Sequence, residues 1–421
     1  MVDQRDKAAK ANQPRIKGWC PGAWTPMASG DGLLVRVRPR FGRLTRDQLL
    51  ALCAAAETYG SGLIELTSRA NLQLRGVTEA SWPGLMEALV EQGLVDPDPE
   101  AERRPQLMLA PDWQTGDATQ EVARLLEARL NELPALPAKW GLAIDAGAAP
   151  LLKEASADLR IERAADGGLP ARASGALSAQ ASGALLVRTD GRSLGTPVDS
   201  PAAAVELLIR LAHWFVASGG RDAGRMRRHE APLPAWAPAS TPPASTWPIR
   251  AGKPMALGRH PKGRVLGLPF GRVEAAALRA AVDAGSVSAV RVTPWRRLLL
   301  EGFPAAAPFE EPALGLLDDE SDPRLAMQAC PGAPHCEQAS VATLGLARAL
   351  AERRLIAGSL HLSGCAKGCA CRQPTDLCLT GRDGRYDLII GDRADGTPTA
   401  TGLSESEVIE YLEKNRDALR L

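Results

Sequence analysis

The stretch Ala329-Cys330-Pro331-Gly332-Ala333-Pro334-His335-Cys336, followed 27 residues later by Gly364-Cys365-Ala366-Lys367-Gly368-Cys369, decides how this chain is read. Four thiols arrive as C-x5-C and C-x3-C. Between them, Val341, Leu344 and Leu350 recur at helical spacing ahead of Arg353 and Arg354, and Leu360-His361-Leu362 reads as a short strand. The second thiol pair therefore falls on a Gly-bracketed turn at a strand end, where backbone approaches a bound group closely. Four thiolates hold a [4Fe-4S] cluster or a structural zinc, and failing both they are reduced core thiols. Zinc sites set the thiols of each pair two to four residues apart. C-x5-C is wide for that, which favours the cluster.

At 421 residues the chain is long for one core and implies two to four structural units. A net charge of +1 gives no global pull toward nucleic acid or an acidic membrane. Only nine of the 50 basic residues are Lys. Arg carries a planar fork suited to carboxylates, which fits an acid-rich ligand; a GC-rich genome produces the same bias. Met1 to Trp19 is polar and basic without an apolar core, and no apolar run reaches membrane-spanning length. The expectation is a soluble cytoplasmic protein whose eight cysteines are reduced or metal-bound.

Outward from the cysteines, the chain repeats itself. Leu33 to Arg38 alternates as a strand ending at Pro39, and Thr45-Arg46-Asp47-Gln48 is a capping box opening a helix with Leu49, Leu52, Cys53 and Ala56 on one face. Cys53 is thus a core residue. Gly62 to Leu66 returns as a strand, Thr67 to Gly76 follows, and a helix runs near Ala80–Glu91. The pattern recurs over residues 263–303, with a helix from Val273 to about Val282. Phe41-Gly42-Arg43 matches Phe270-Gly271-Arg272, and Leu66 to Gly76 matches Val292 to Gly302 without a gap. Leu107 to Pro111 and a Thr119–Leu133 helix parallel Met327 to Pro331 and the helix after Cys336. Ala110 then stands where Cys330 does, and Ala143 to Gly147 where Leu362 to Cys365 does. One cluster per chain follows, on the second copy only. Cys20-Pro21-Gly22 echoes Cys330-Pro331-Gly332, but no second thiol near it completes a site. Residues 165–200 read as a loop or irregular hairpin, and Ser404-Glu405-Ser406-Glu407 caps a terminal helix.

C-x5-C followed by G-C-x3-C resembles the cluster signature of the sirohaem-dependent nitrite and sulfite reductase superfamily. Within it, Cys20-Pro21-Gly22, Gly30-Asp31-Gly32-Leu33-Leu34-Val35-Arg36 and Leu362-Ser363-Gly364-Cys365-Ala366-Lys367-Gly368-Cys369 look most like the precorrin-3B synthases, the oxygen-dependent branch of aerobic cobalamin biosynthesis. The resemblance spans residues 15–160 and 250–395. It implies an internally duplicated α+β fold, with two ferredoxin-like half-domains related by a pseudo-twofold. Two α/β units of the nitrite/sulfite reductase type accompany them, and only the second carries the cluster. The corresponding boundaries are an arm at 1–30, half-domain 1 at 31–104, a cluster-less unit at 105–230 and a Pro-rich linker at 231–250. Half-domain 2 then spans 251–315 and the cluster-binding unit 316–421.

The same resemblance implies the site. Cys330, Cys336, Cys365 and Cys369 would hold the [4Fe-4S] cluster. Arg36, Arg38, Arg69, Arg104 and Lys139 would bind the carboxylates of a tetrapyrrole, with Arg69 and Lys139 nearest the chemistry. Relatives that reduce anions place a second lysine two residues after the first; here Gly141 stands there, which speaks against sulfite or nitrite. The branch also implies dioxygen as co-substrate and a mononuclear non-haem iron, with His361, His335 and Cys371 as nearby candidate ligands. Cys371 and Cys378 read more readily as packed thiols. No G-x-G-x-x-G opens a helix after a strand, so electrons would come from a separate NAD(P)H-dependent reductase. Two other functions fit the cysteines: a sirohaem sulfite or nitrite reductase, with Cys369 bridging cluster and haem, and a non-catalytic electron carrier.

Overall fold

The computed structural model describes residues 19–165, 184–244, 254–304 and 315–419. Most of the expected arm, the middle of the Gly-, Ala- and Ser-rich segment and the end of the Pro-rich linker lie outside the described residues.

Alternating apolar residues build four five-stranded sheets. The first contains β1 (Met27–Ser29), β2 (Gly32–Val37), β4 (Leu63–Leu66), β5 (Leu72–Val77) and β13 (Arg272–Glu274), in the order β1-β2-β5-β4-β13. Its counterpart contains β11 (Gly258–His260), β12 (Gly263–Gly267), β14 (Ala289–Val292), β15 (Arg297–Glu301) and β3 (Arg43–Thr45), in the order β11-β12-β15-β14-β3. In each sheet the last strand comes from the other half of the chain. β13 pairs antiparallel with β4, Arg272 opposite Glu65, and β3 pairs antiparallel with β14, Arg43 opposite Arg291.

The repeated Phe-Gly-Arg accounts for this exchange. Phe41 and Phe270 sit at φ 54 and φ 56, a left-handed turn that side-chain-bearing residues adopt only when their surroundings enforce it. The turn throws the following arginine onto the neighbouring sheet. Arg43 there grips Glu301 with Nε at 3.0 Å and Nη2 at 2.7 Å, and Arg272 pairs with Glu65 at 2.7 Å. Each carboxylate has a second partner on its own sheet. Glu65 pairs with Arg75, while at the matching positions Arg291 pairs with Glu301, the signs reversed. The expected helix from Val273 starts instead at Ala275, because Arg272–Glu274 is taken up as the exchanged strand.

Two helices pack into the core shared by these sheets: α1 (Arg46–Tyr59) and, in the second half, α5 (Ala275–Ala284). Leu49, Leu52 and Cys53 of α1 and Leu278 and Val282 of α5 are buried in one cluster with both sheets. α2 (Trp82–Glu91) adds Leu85 and Leu89 to it.

The remaining sheets repeat a different pattern. β6 (Gln106–Leu109), β7 (Gly141–Asp145) and β8 (Leu159–Arg163) are parallel, and β9 (Leu185–Thr189) and β10 (Thr196–Val198) follow antiparallel. Likewise β16 (Met327–Ala329), β17 (Leu360–Ser363) and β18 (Leu377–Arg382) are parallel, and β19 (Arg385–Ile390) and β20 (Ala400–Leu403) antiparallel. The first carries α3 (Ala118–Glu127) and α4 (Pro201–Ala217), the second α6 (Leu344–Glu352) and α7 (Glu405–Leu419), each unit around its own apolar core. α3 is shorter than the expected Thr119–Leu133: Leu133 precedes Pro134 and is extended, and only a 3-10 turn, Leu130–Glu132, continues the coil. The described part of the Pro-rich segment docks on the first of these units, with Thr241 and Pro243 bridging to Gly195 and Ala164. Among the described residues no helix is long and apolar enough to cross a membrane.

The capping box at α1 forms as the sequence requires, Gln48 N–H donating to Thr45 Oγ1 at 3.2 Å and Thr45 N–H to Gln48 Oε1 at 3.1 Å. Because Thr45 is also the last residue of β3, the cap sits where the halves join. Thr45→Ala should lower the unfolding free energy by about 0.5–2 kcal/mol in urea titration. An unchanged midpoint would show that the exchanged strand holds the helix end without its cap.

Candidate active site between the two halves

Both thiol pairs sit at the carboxyl ends of parallel strands. Cys330 follows β16 and donates its N–H to Leu362 O at 3.1 Å, tying the first loop to β17. Cys330 Sγ accepts the Gly364 N–H at 3.1 Å. A side chain at Gly364 would meet Ala339 Cβ at 2.5 Å, so glycine is required where the two thiol loops touch. Gly368, at φ 59, turns the backbone between Cys365 and Cys369. Arg296 Nη2 donates to Ala370 O at 3.0 Å and fastens that turn to the loop between β14 and β15.

Cys330, Cys336, Cys365 and Cys369 line one cavity of about 450 Å³. Burial pushes the Cys330 thiol up to about 11, opposed by the N–H groups of Gly364 and Gly332 and reinforced by the neighbouring Cys369 and Cys336. Burial also raises Cys365 and Cys369; the Lys367 N–H counters it at Cys365, and the Lys367 charge at Cys369. Burial favours the protonated form of Cys330, Cys365 and Cys369, and N–H groups are already aimed at the Cys330 and Cys365 sulfurs, so a cation bound here would displace protons. Among the described residues no three His, Cys, Asp or Glu side chains lie close enough to hold a single ion.

The first half of the chain closes this cavity. The β1–β2 turn, Gly30-Asp31-Gly32, presses on the first thiol loop: Ser29 Oγ donates to His335 O at 2.9 Å, and Arg75 Nη2 donates to the same carbonyl at 3.1 Å. Asp31 in turn holds Arg75 through Oδ2 at 2.8 Å and Oδ1 at 2.7 Å. A Cβ on Gly30 would lie 2.5 Å from Pro334 O and 3.0 Å from Cys336 N. The Gly-Asp-Gly phrase is thus a latch between the first sheet and the thiol loop.

A second cavity, about 820 Å³, adjoins the first and shares Trp19, Cys20 and Arg36 with it. Arg38, Arg69 and Arg104 line it. Arg36 Nε donates to Gln73 Oε1 at 3.1 Å, Arg38 Nη1 to Glu102 O at 2.9 Å, and Arg69 Nη2 to Lys139 O at 2.7 Å. Among the described residues none of these three guanidiniums has a carboxylate side chain in an ion pair, and Arg38 Nε is buried without a partner. Burial draws all three below the usual arginine range; at Arg36 and Arg69 neighbouring arginines add to it.

The structure therefore brings most of the sequence-derived residues to one cleft and divides them. The four thiols, Arg36 and Lys139 line the first cavity, while Arg38, Arg69 and exposed Arg104 line the second. Arg272, Arg296 and Arg372 of the second half also reach the thiol cavity, as does Cys20. Sequence reasoning missed them. Arg296 corresponds to Ala70, and both stand at positive φ (60 and 54), the signal that could have marked the position. Gly141 belongs to neither wall: it opens β7, and a Cβ there would meet only Ser156 O at 3.8 Å. Its lack of charge says little about the cleft. His361, His335 and Cys371 are not assembled around a point; His361 is fully buried, and the His335 side chain is half exposed near Asp31.

The family model for the nitrite/sulfite reductase ferredoxin-like half domain matches residues 25–92. The solved structure of the Mycobacterium tuberculosis NirA protein superposes with a TM-score of 0.57 at 17% identity, covering 90% of this chain and 79% of that one. The chain thus carries a nitrite/sulfite reductase ferredoxin-like half domain at residues 25–92 and shares its overall fold with NirA. A precorrin-3B synthase from Sinorhizobium sp is 33% identical over 96% of this chain and 90% of its own length. The chain belongs to the precorrin-3B synthase family.

The latch makes a direct test. Gly30→Ala sets a methyl against the backbone of Pro334 and Cys336, where no side chain can swing aside. The variant should lose about 1–3 kcal/mol of stability and label faster at Cys336 with a thiol reagent. Wild-type labelling would show that the hairpin does not restrain the loop.

Proposed function

We propose that the protein is a precorrin-3B synthase, a monooxygenase converting precorrin-3A to precorrin-3B in the aerobic route to cobalamin. The carrying observation is the group of half-buried Arg36, Arg38 and Arg69, without carboxylate partners among the described residues, beside the four-thiol cavity. Sheltered cations not held in a close ion pair are costly, and a ligand's carboxylates would offset that cost. A tetrapyrrole carries eight acidic arms, and each charge-assisted hydrogen bond to one contributes about 1.5–3 kcal/mol when sheltered.

The thiols fit an iron–sulfur cofactor: they surround a space and do not meet at a point, with backbone N–H groups already directed at sulfur. A [4Fe-4S] cluster bound by Cys330, Cys336, Cys365 and Cys369 would deliver electrons singly into the cleft. The chain's own part is to clasp and orient. Arg38, Arg69 and Arg104 would hold acidic arms in the second cavity, and Arg36 would span the junction. Lys139 would face the thiol side, where Arg69 bonds its carbonyl and fixes the segment. One atom of dioxygen enters the macrocycle and the other leaves as water, which takes two electrons and two protons. A separate NAD(P)H-dependent reductase would supply the electrons, and the cytoplasm is the expected compartment. Among the described residues His361, His335 and Cys371 do not converge to hold a mononuclear iron.

The matched sheet orders, the paired positive-φ turns and the reversed Glu65–Arg75 and Arg291–Glu301 pairs support reading the chain as a duplication with one cluster. In the first copy Ala110 replaces a thiol, and β7 ends in Asp145, whose carboxyl burial pushes up to about 7. Single Cys→Ser variants at 330, 336, 365 and 369 should each lose iron and acid-labile sulfide, and Cys53→Ser should not. Arg69→Ala should weaken titrated tetrapyrrole binding by about 2–5 kcal/mol while shifting the unfolding midpoint little. Full cluster content after Cys336→Ser, or equal affinity in Arg69→Ala, would refute the respective assignment.

A further inference from the structure

Beneath the C-x3-C turn lies a buried polar chain that the reading above does not use. His361 of β17 is fully buried, and its Nδ1 lies 3.5 Å from Cys378 Sγ on the adjacent β18. Cys378 Sγ is also 3.5 Å from Thr380 Oγ1, and that hydroxyl donates to Ala394 O at 3.0 Å. Since the Thr380 proton is committed to Ala394, its oxygen is left to accept from the Cys378 thiol. Burial pushes that thiol up to about 11, so it keeps its proton. The sulfur lone pairs then receive the Nδ1–H of His361. The relay sets the tautomer: Nδ1 is protonated and Nε2 is a bare acceptor. Burial, with the Arg296 charge, lowers the imidazole to about 4, so the ring is neutral.

Nε2 is the loose end. It is buried and has no hydrogen-bond partner. A buried acceptor left unmade costs more than a typical hydrogen bond gains. What lies over the ring is the turn between two cluster thiols: a Cβ on Gly368 would be 3.5 Å from His361 Cε1, the atom between the two nitrogens, and 3.1 Å from Cys371 O. The turn is also held by Arg296 through Ala370 O.

We propose that His361 is a positioning residue for the cluster-bearing turn, its Nε2 accepting a hydrogen bond from the 365–371 backbone, directly or through one trapped water, when the turn closes on the cluster. The inference rests on the four thiols holding an iron–sulfur group. His361 would touch neither that group nor the tetrapyrrole. It would fix how the Cys365 and Cys369 sulfurs are presented and hydrogen-bonded, two settings on which cluster retention and reduction potential depend.

The test compares wild type, His361→Leu and His361→Gln, each in apo and cluster-loaded form. Leu keeps most of the volume and removes both nitrogens; Gln returns a polar tip near the Nε2 position. Apo His361→Leu should melt close to wild type, because losing an unsatisfied acceptor offsets losing the long Nδ1–H contact to Cys378 Sγ. Loaded His361→Leu should release iron to a chelator about tenfold faster, the rate equivalent of one buried hydrogen bond. Its reduced-cluster electron paramagnetic resonance signal and midpoint potential should shift, and His361→Gln should recover most of the release rate. Equal release and unchanged spectra in His361→Leu would overturn the proposal, as would an apo form that melts as much lower as the loaded one. A wild type that takes up no iron and sulfide would instead refute the cluster reading beneath it.

Discussion

Each half of this chain completes the sheet of the other, and the cleft exists because of that exchange. Three residues, Arg272–Glu274, close the first sheet and three, Arg43–Thr45, close the second. Neither strand is long enough to pair stably alone. They are held by the left-handed phenylalanine turns that aim them and by the carboxylates that receive their arginines. With one core shared between the sheets, the halves cannot slide, and the first thiol loop of the second α/β unit is fixed against the β1–β2 turn of the first half.

Charge is then sorted by distance from that seam. Where structure is needed, cations are matched: Arg43 with Glu301, Arg272 with Glu65, Arg75 with Asp31 and Glu65. Where the cleft opens, Arg36, Arg38 and Arg69 are held by amide and carbonyl oxygens and are in no ion pair among the described residues. Those bonds orient guanidiniums without neutralising them, and the charge stays available to an acidic ligand. The thiol cavity differs again: burial favours the protonated Cys330, Cys365 and Cys369 thiols, whose protons a bound metal would displace.

The candidate site was legible where chemistry is local in sequence. Thiol pairs, the capping box at Thr45 and the repeated Phe-Gly-Arg each announce themselves within a few residues. What could not be read was contact between halves. Arg43–Thr45 and Arg272–Glu274 carry too little apolar pattern to show as strands, and their partners lie more than 200 residues away. The role of Gly30 depends on Pro334 and Cys336, and Arg296 differs in type from its repeat partner Ala70. Gly141 misleads in the opposite sense: it opens β7 and lines neither cavity, so its lack of charge does not describe the cleft.

An oxygenase built on an anion-reductase scaffold is the central claim, and isotope labelling reaches it directly. Reconstituted protein given precorrin-3A, an electron donor and ¹⁸O-labelled dioxygen should yield a tetrapyrrole carrying one labelled atom, seen by mass spectrometry, with the second label in water. A product without label, accompanied by rapid sulfite or nitrite reduction when sirohaem is added, would contradict it.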